Sequence, residues 1–209
     1  MNSPRLVMIG DSVTEWGRPG PDSPDRATAL GHGYVSIVAA WLRAERPHRP
    51  LEVLNRGVGG NTLRDLAARW DRDVVALRPD VLSVLIGIND VWRHFDPERQ
   101  TEAVPPAEFE AIYDALLART RPSLRRLLLL APCYAQPDRT DPMRRRVDEF
   151  GAIVARLAAR HDAAFVDLQA EVDTLMRRHA PEVVAHDRVH LGPLGHETAA
   201  RALLATLAW

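Results

Sequence analysis

Five short apolar runs separated by helical patterns narrow the folds open to this 209-residue chain more than any other feature. Residues 6–9, 51–54, 81–86, 127–131 and 164–168 are rich in Val, Leu and Ile, and read as strands covered on both faces in a parallel sheet. Between them the apolar period becomes helical. Tyr34, Ile37, Val38, Trp41 and Leu42 stand at i, i+3, i+4, i+7 and i+8, as do Phe109, Ile112, Tyr113, Leu116 and Leu117. Leu63, Leu66, Ala67, Trp70 and Val74 form another stripe, Val147, Phe150, Val154 and Leu157 a fourth, and Ala199, Ala202, Leu203 and Leu207 a fifth. These aromatic-bearing stripes read as core faces.

Strands alternating with helices call for right-handed crossovers. The expected fold is therefore α/β, a three-layer α/β/α sandwich with a five-stranded parallel sheet, formed by residues 1–209 as one domain. In such sheets active groups gather beyond the carboxyl ends of the strands. Ser12 follows the first predicted strand, residues 57–61 the second, Asn89 the third, and Cys133 with Tyr134 the fourth, which puts all of them on one rim. Residues 92–106 and 134–142 are polar, proline-bearing connections, either walls of a pocket on that rim or plain surface links. Residues 18–26 read as a Pro/Gly/Asp-rich surface loop.

Lys+Arg 27 against Asp+Glu 28 leaves a formal charge of -1, so no broad basic field exists to hold nucleic acid or an anionic membrane. The start of the chain lacks the pattern of a secretory signal, and no apolar run reaches membrane-spanning length. The single cysteine, Cys133, permits no intrachain disulfide, and a cytoplasmic location is expected. Cys133 itself reads as a buried thiol rather than a nucleophile.

A serine hydroxyl is a poor nucleophile at neutral pH and needs a base within hydrogen-bond reach and donors for the oxyanion that forms after attack. Gly10-Asp11-Ser12 places a serine at a strand end just before a turn, although the tripeptide alone is equally an ordinary turn or cap. The second strand leads into 55–62, whose glycines let backbone amides approach a ligand. A dinucleotide fingerprint starting at Gly57 requires glycine where Thr62 stands, and no Walker lysine follows. An oxyanion donor at Gly60 accounts for the same glycines. Asn89, in Gly87-Ile88-Asn89-Asp90, is either a side-chain oxyanion donor or a cap. In Asp187-Arg188-Val189-His190, a carboxylate three residues before a histidine can accept the imidazole Nδ1–H and leave Nε2 for the serine. Asp167, at the end of the fifth strand, is the rival acid. The cluster His186, Asp187, His190 and His196 raises a metal site but matches no standard zinc spacing, so no metal and no cofactor is expected.

Serine, glycine, asparagine and Asp-x-x-His thus fall on successive rim loops of one sheet. In this joint order the chain resembles the SGNH branch of the GDSL-type esterases and lipases. The resemblance implies a flavodoxin-like fold, Ser12 as nucleophile, Ser12, Gly60 and Asn89 as oxyanion hole, and Asp187 with His190 completing a triad. Segments 33–35, 61–66, 87–93, 141–145 and 187–190 further resemble bacterial acetylxylan esterases of this family. That implies a serine esterase removing O-acetyl groups from xylo-oligosaccharides through an acetyl-enzyme, acting on an acetylated oligosaccharide or another small ester. Two positions depart from the resemblance: Leu191 stands where a proline is expected, and His186 where a tryptophan is. Trp16, Arg18, Trp92, Arg93, Tyr134 and His186 are candidate sugar contacts, with indole faces for C–H surfaces and guanidinium groups for hydroxyls. The other readings are a short-chain thioesterase or lysophospholipase-type esterase on the same scaffold, and a noncatalytic sugar-binding module. Self-association into a homo-oligomer is also expected.

Overall fold

The computed structural model describes residues 4–20 and 28–207, so most of the 18–26 loop lies outside the described residues. Five parallel strands, β1 (Arg5–Gly10), β2 (Glu52–Gly57), β3 (Val81–Leu85), β4 (Arg126–Leu130) and β5 (Ala164–Val166), form one sheet in the order β2-β1-β3-β4-β5. Along the chain lie α1 (Ser12–Glu15), α2 (Tyr34–Glu45), α3 (Leu63–Asp73), α4 (Ile88–Trp92) and α5 (Pro106–Thr120). They are followed by α6 (Pro142–Arg160), α7 (Leu168–Met176), α8 (Pro181–Val184) and α9 (Pro193–Leu207). None of the helices among the described residues is long and apolar enough to cross a membrane.

Alternate strand residues send their side chains to opposite faces, and two cores result. Val7, Ile9, Leu82, Val84, Leu127 and Leu129 meet Leu66 and Trp70 of α3, Phe109 and Tyr113 of α5, and Phe150 and Leu157 of α6. Leu6, Met8, Val81, Leu128 and Leu130 meet Val35 and Val38 of α2, Val172 of α7 and Leu203 of α9. The expected three layers are therefore present. Trp70 keeps its indole in the core because Nε1–H donates to Thr120 Oγ1 at 2.9 Å.

The strand ends are in register. Gly57 pairs with Gly10, Gly10 with Leu85, Leu85 with Leu130, and Leu130 with Val166, so one row of residues defines the carboxyl rim. The chain leaves β1 for β2 on one side and returns to β3 on the other, which opens a crevice where the winding reverses. The short helix α1 lies directly on this rim. A Cβ on Gly57 would stand 2.2 Å from the Glu15 amide nitrogen, and one on Gly10 would stand 2.2 Å from the Leu85 carbonyl oxygen. Only residues without side chains allow the helix to sit this close.

Three expectations change. Strand β2 runs on through Asn55 and Arg56 to Gly57 rather than stopping at residue 54; as an edge strand it carries polar residues, and Asn55 is held by bonds from Nδ2 to Thr14 O (2.7 Å) and Leu30 O (3.0 Å). Strand β5 ends at Val166, because Asp167 caps α7 by accepting the Ala170 N–H at 3.0 Å. On α2 the fully covered face is Tyr34, Val35, Val38, Ala39 and Leu42, whereas Trp41 is 39% exposed with the Arg46 guanidinium 5.8 Å from its ring centroid.

Gly57→Ala is expected to destabilise the protein by about 1–3 kcal/mol, since the backbone of α1 must shift. Gly151→Ala in α6, whose new methyl meets Ala131 Cβ at an ordinary 3.7 Å, should instead stabilise it by about 0.5–1 kcal/mol. Urea unfolding of both variants checks the opposite signs.

Candidate active site

Ser12 is the first residue of α1, and Asp11 before it caps the turn, Oδ1 accepting the Val13 N–H at 3.0 Å. In that position the Ser12 N–H has no acceptor within its helix and is available to a ligand. Its hydroxyl meets His190: Nε2 lies 3.0 Å from Ser12 Oγ, and Nδ1 lies 2.6 Å from Asp187 Oδ2. The turn that carries the last two residues is tightly built. Asp187 Oδ1 accepts the N–H groups of Val189 (3.0 Å) and His190 (2.8 Å), while Arg188 takes a left-handed φ of 68° between them. The Arg188 carbonyl then accepts the Ala135 N–H at 2.8 Å, tying the turn to the loop after β4.

Partial burial opposes ionisation of Asp187, but hydrogen bonds from the His190 ring and from the two backbone N–H groups prevail and hold its carboxyl down at about 2. The expected relay of carboxylate, imidazole and hydroxyl is thus assembled from opposite ends of the chain. Asp167, the rival acid, is occupied with capping α7.

The loop after β2 comes alongside. A Cβ on Gly59 would lie 3.8 Å from Ser12 Cβ, and Gly60 adopts φ 75°, a left-handed conformation that turns the backbone and favours glycine. Asn89, in α4, is buried and donates from Nδ2 to Asn61 O at 3.1 Å; the second hydrogen of that amide is left for another acceptor. Asp90 joins the two loops from beneath, Oδ1 accepting the Leu63 N–H at 2.9 Å while Oδ2 is buried without a partner.

Trp16 and Trp92 flank His190, with ring centroids 6.1 and 6.2 Å from the imidazole. His186 stacks at 6.4 Å on the outer side and is largely exposed. Tyr134 is half-buried in the first part of the loop after β4, where its backbone N–H donates to Gln169 Oε1 at 2.8 Å. The two arginines expected at sugar hydroxyls are placed differently. Arg18 is buried and donates to the Gly57 carbonyl, and Arg93 is buried, with Nη2 3.4 Å from Gly60 O and Nε 3.3 Å from Glu102. Both donate to backbone carbonyls, Arg18 at the end of β2 and Arg93 in the loop that follows it. His196 also leaves the cluster imagined from sequence: its Nδ1 accepts the Tyr34 N–H at 3.2 Å, and burial pushes its imidazole down to about 4. Leu191 is a buried apolar residue. Burial pushes the Cys133 thiol up to about 12, so it carries no reactive thiolate.

A serine hydroxyl bonded to a carboxylate-backed imidazole, on the rim of a parallel α/β/α sandwich and beside amide donors, defines the class of serine carboxylic-ester hydrolases. Comparison with known proteins gives the family. The family of GDSL-like lipases and acylhydrolases matches residues 8–198, and the chain belongs to it. It is 41% identical over 201 residues to an acetylxylan esterase of Geobacillus stearothermophilus, covering 96% of this chain and 92% of that one. The crystal structure of an acetylxylan esterase from that organism superposes with a TM-score of 0.92 at 40% identity, over 99% of this chain and 94% of the other. An alpha/beta hydrolase enzyme from the metagenome of Lake Arreo superposes with a TM-score of 0.91 at 42% identity, over 98% and 96%.

Two carboxyl groups beside the site were not singled out from sequence as a charge problem. Burial raises both Asp11 and Asp90 to about 7. Each then holds its proton more tightly folded than unfolded, so between about pH 4 and about pH 7 the unfolded chain has released a proton that the folded chain keeps, and stability falls as pH rises. Asp90→Asn removes one such titration. Its thermal midpoint is expected to decline less steeply than that of the wild type across this window; parallel slopes in thermal melts count against the assignment.

Proposed function

We propose that the protein removes O-acetyl groups from acetylated xylo-oligosaccharides, with Ser12 as nucleophile, His190 as general base and acid, and Asp187 orienting and charging the imidazole. The observation that carries this reading is the continuous contact from Asp187 Oδ2 through His190 to Ser12 Oγ, at 2.6 and 3.0 Å. In solved forms of the Geobacillus esterase, catalytic mutants alter a serine, an aspartate and a histidine, the last two three positions apart as Asp187 and His190 are.

In this reading Ser12 Oγ attacks the acetyl carbonyl carbon while His190 Nε2 takes its proton. The negative charge on the former carbonyl oxygen is met by the N–H groups of Ser12 and Gly60 and by the free amide hydrogen of Asn89. Collapse of the tetrahedral intermediate releases the sugar alcohol, protonated by His190, and leaves acetyl-Ser12. Water, deprotonated by the same imidazole, then attacks the acetyl group and frees acetate. Trp16 and Trp92 form walls beside the imidazole against which the C–H faces of a pyranose pack. A substituted form of the Geobacillus esterase alters a tryptophan directly before the catalytic aspartate; the position here is His186, which makes that wall smaller and polar. Residues 1–209 act as one catalytic unit in this reading, in the cytoplasm and self-associated.

Mass spectrometry of acetylated xylo-oligosaccharides, with acyl-glycerol and thioester substrates in parallel, is expected to show loss of acetyl groups from the sugars and little turnover of the others. Preferred thioester or acyl-glycerol cleavage overturns the substrate assignment. Ser12→Ala should lower kcat by a factor on the order of 10⁶, and Asn89→Ala should weaken transition-state stabilisation by about 3 kcal/mol, read as kcat/KM. Retention of a tenth of the activity in Ser12→Ala removes Ser12 from the mechanism.

A further inference from the structure

Arg69, on α3, is one position the sequence did not single out, yet its guanidinium reaches more of the rim than any triad residue does. Nη2 donates to Gly10 O at 2.8 Å, at the end of β1 and two residues before Ser12. Nη1 donates to Arg56 O at 2.8 Å, near the end of β2, and to Asp73 Oδ2 at 2.9 Å, one turn further along α3. Nε donates to Asn61 Oδ1 at 2.7 Å, and the carbonyl of the same Asn61 accepts from Asn89 Nδ2. Its side chain is 10% exposed and Asp73 is 1% exposed, so these bonds are shielded from competing water.

We propose that Arg69 is a positioning residue for the oxyanion hole: it fixes the 57–62 loop and the Asn89 amide relative to the strand end that carries Ser12. The inference rests on the catalytic reading given above. The guanidinium suits the task because its N–H groups radiate in one plane at fixed angles, so a single rigid group sets the distances among three backbone segments. Burial pushes the guanidinium below its ordinary range, and the bond to Asp73 opposes that shift in part. A lysine in its place offers one point charge and cannot span the Gly10, Arg56 and Asn61 oxygens together. The donors then lose their spacing from Ser12, while the Asp187–His190 turn, which Arg69 does not touch, is unaltered.

The test is steady-state kinetics of Arg69→Lys with 4-nitrophenyl acetate, a substrate with no sugar to bind, alongside wild type, Ser12→Ala, Asn89→Ala and the Arg69→Lys/Asn89→Ala double variant. Arg69→Lys is expected to lose about tenfold to a hundredfold in kcat with KM within about twofold, the scale of a modest misplacement of catalytic groups. Its acid pH limb should coincide with that of the wild type, since the histidine turn is undisturbed. The loss in the double variant should fall short of the product of the two single losses, because part of the Arg69→Lys effect acts through the Asn89 amide that is already gone. Wild-type kcat in folded Arg69→Lys, a displaced acid limb, or losses that multiply in full in the double variant overturn the proposal. If Arg69→Lys does not fold, Asn61→Ala, which spares the carbonyl and carboxylate bonds of Arg69, carries the same expected loss, and an unchanged kcat there overturns it equally. An active Ser12→Ala would instead overturn the catalytic reading itself, so the two failures are told apart.

Discussion

The site depends on one close approach, that of the turn carrying Ser12 to the ends of β1, β2 and β3. Gly10 and Gly57 face each other in register there; the backbone of α1 fills the space where a Gly57 side chain would be, and the Leu85 carbonyl and the Thr14 hydroxyl fill that of Gly10. Because the contact of α1 with Gly57 is backbone on backbone, it leaves Ser12 little freedom to shift against the sheet. The amide groups around it are held by the same economy of space: Asn55 binds the Thr14 carbonyl, Asp11 caps the Val13 amide, and Arg18 and Arg93 take the loop carbonyls of Gly57 and Gly60. The preorganised donors that acyl transfer requires are thus a by-product of satisfying buried backbone groups.

Much of this was legible from the chain. The five apolar runs placed the strands within a few residues, and the position of each motif after a run put Ser12, Gly60 and Asn89 on one rim before any distance was known. Asp187 and His190 were legible for a local reason, since a spacing of three on a turn is enough to pair a carboxylate with an imidazole.

What was not legible depended on contacts between distant segments. The last three residues of β2, Asn55, Arg56 and Gly57, carry no apolar side chain, so no apolar run marks them; their strand character comes from pairing with β1. Trp41 reads as core by its period, yet Val35 and Ala39 turn the covered face of α2 away from it. Arg18 and Arg93 looked like ligand-facing charges because nothing local betrays that loop carbonyls beneath the surface are their partners. Arg69 sits on the polar side of the predicted α3 stripe and resembles any solvated helix arginine until the ends of β1 and β2 are brought beside it.

The turn of Asp187 and His190 has a dynamic consequence. Four bonded residues carry both groups, with the carboxylate accepting two backbone amides and the ring at once, so the pair forms one local unit, anchored to the loop after β4 through the Arg188 carbonyl. Its hydrogen bond to Ser12 joins residues 178 positions apart. A displacement of the turn as a whole therefore changes the gap between Nε2 and Oγ, while the pairing of imidazole and carboxylate, bonded within the turn, is kept.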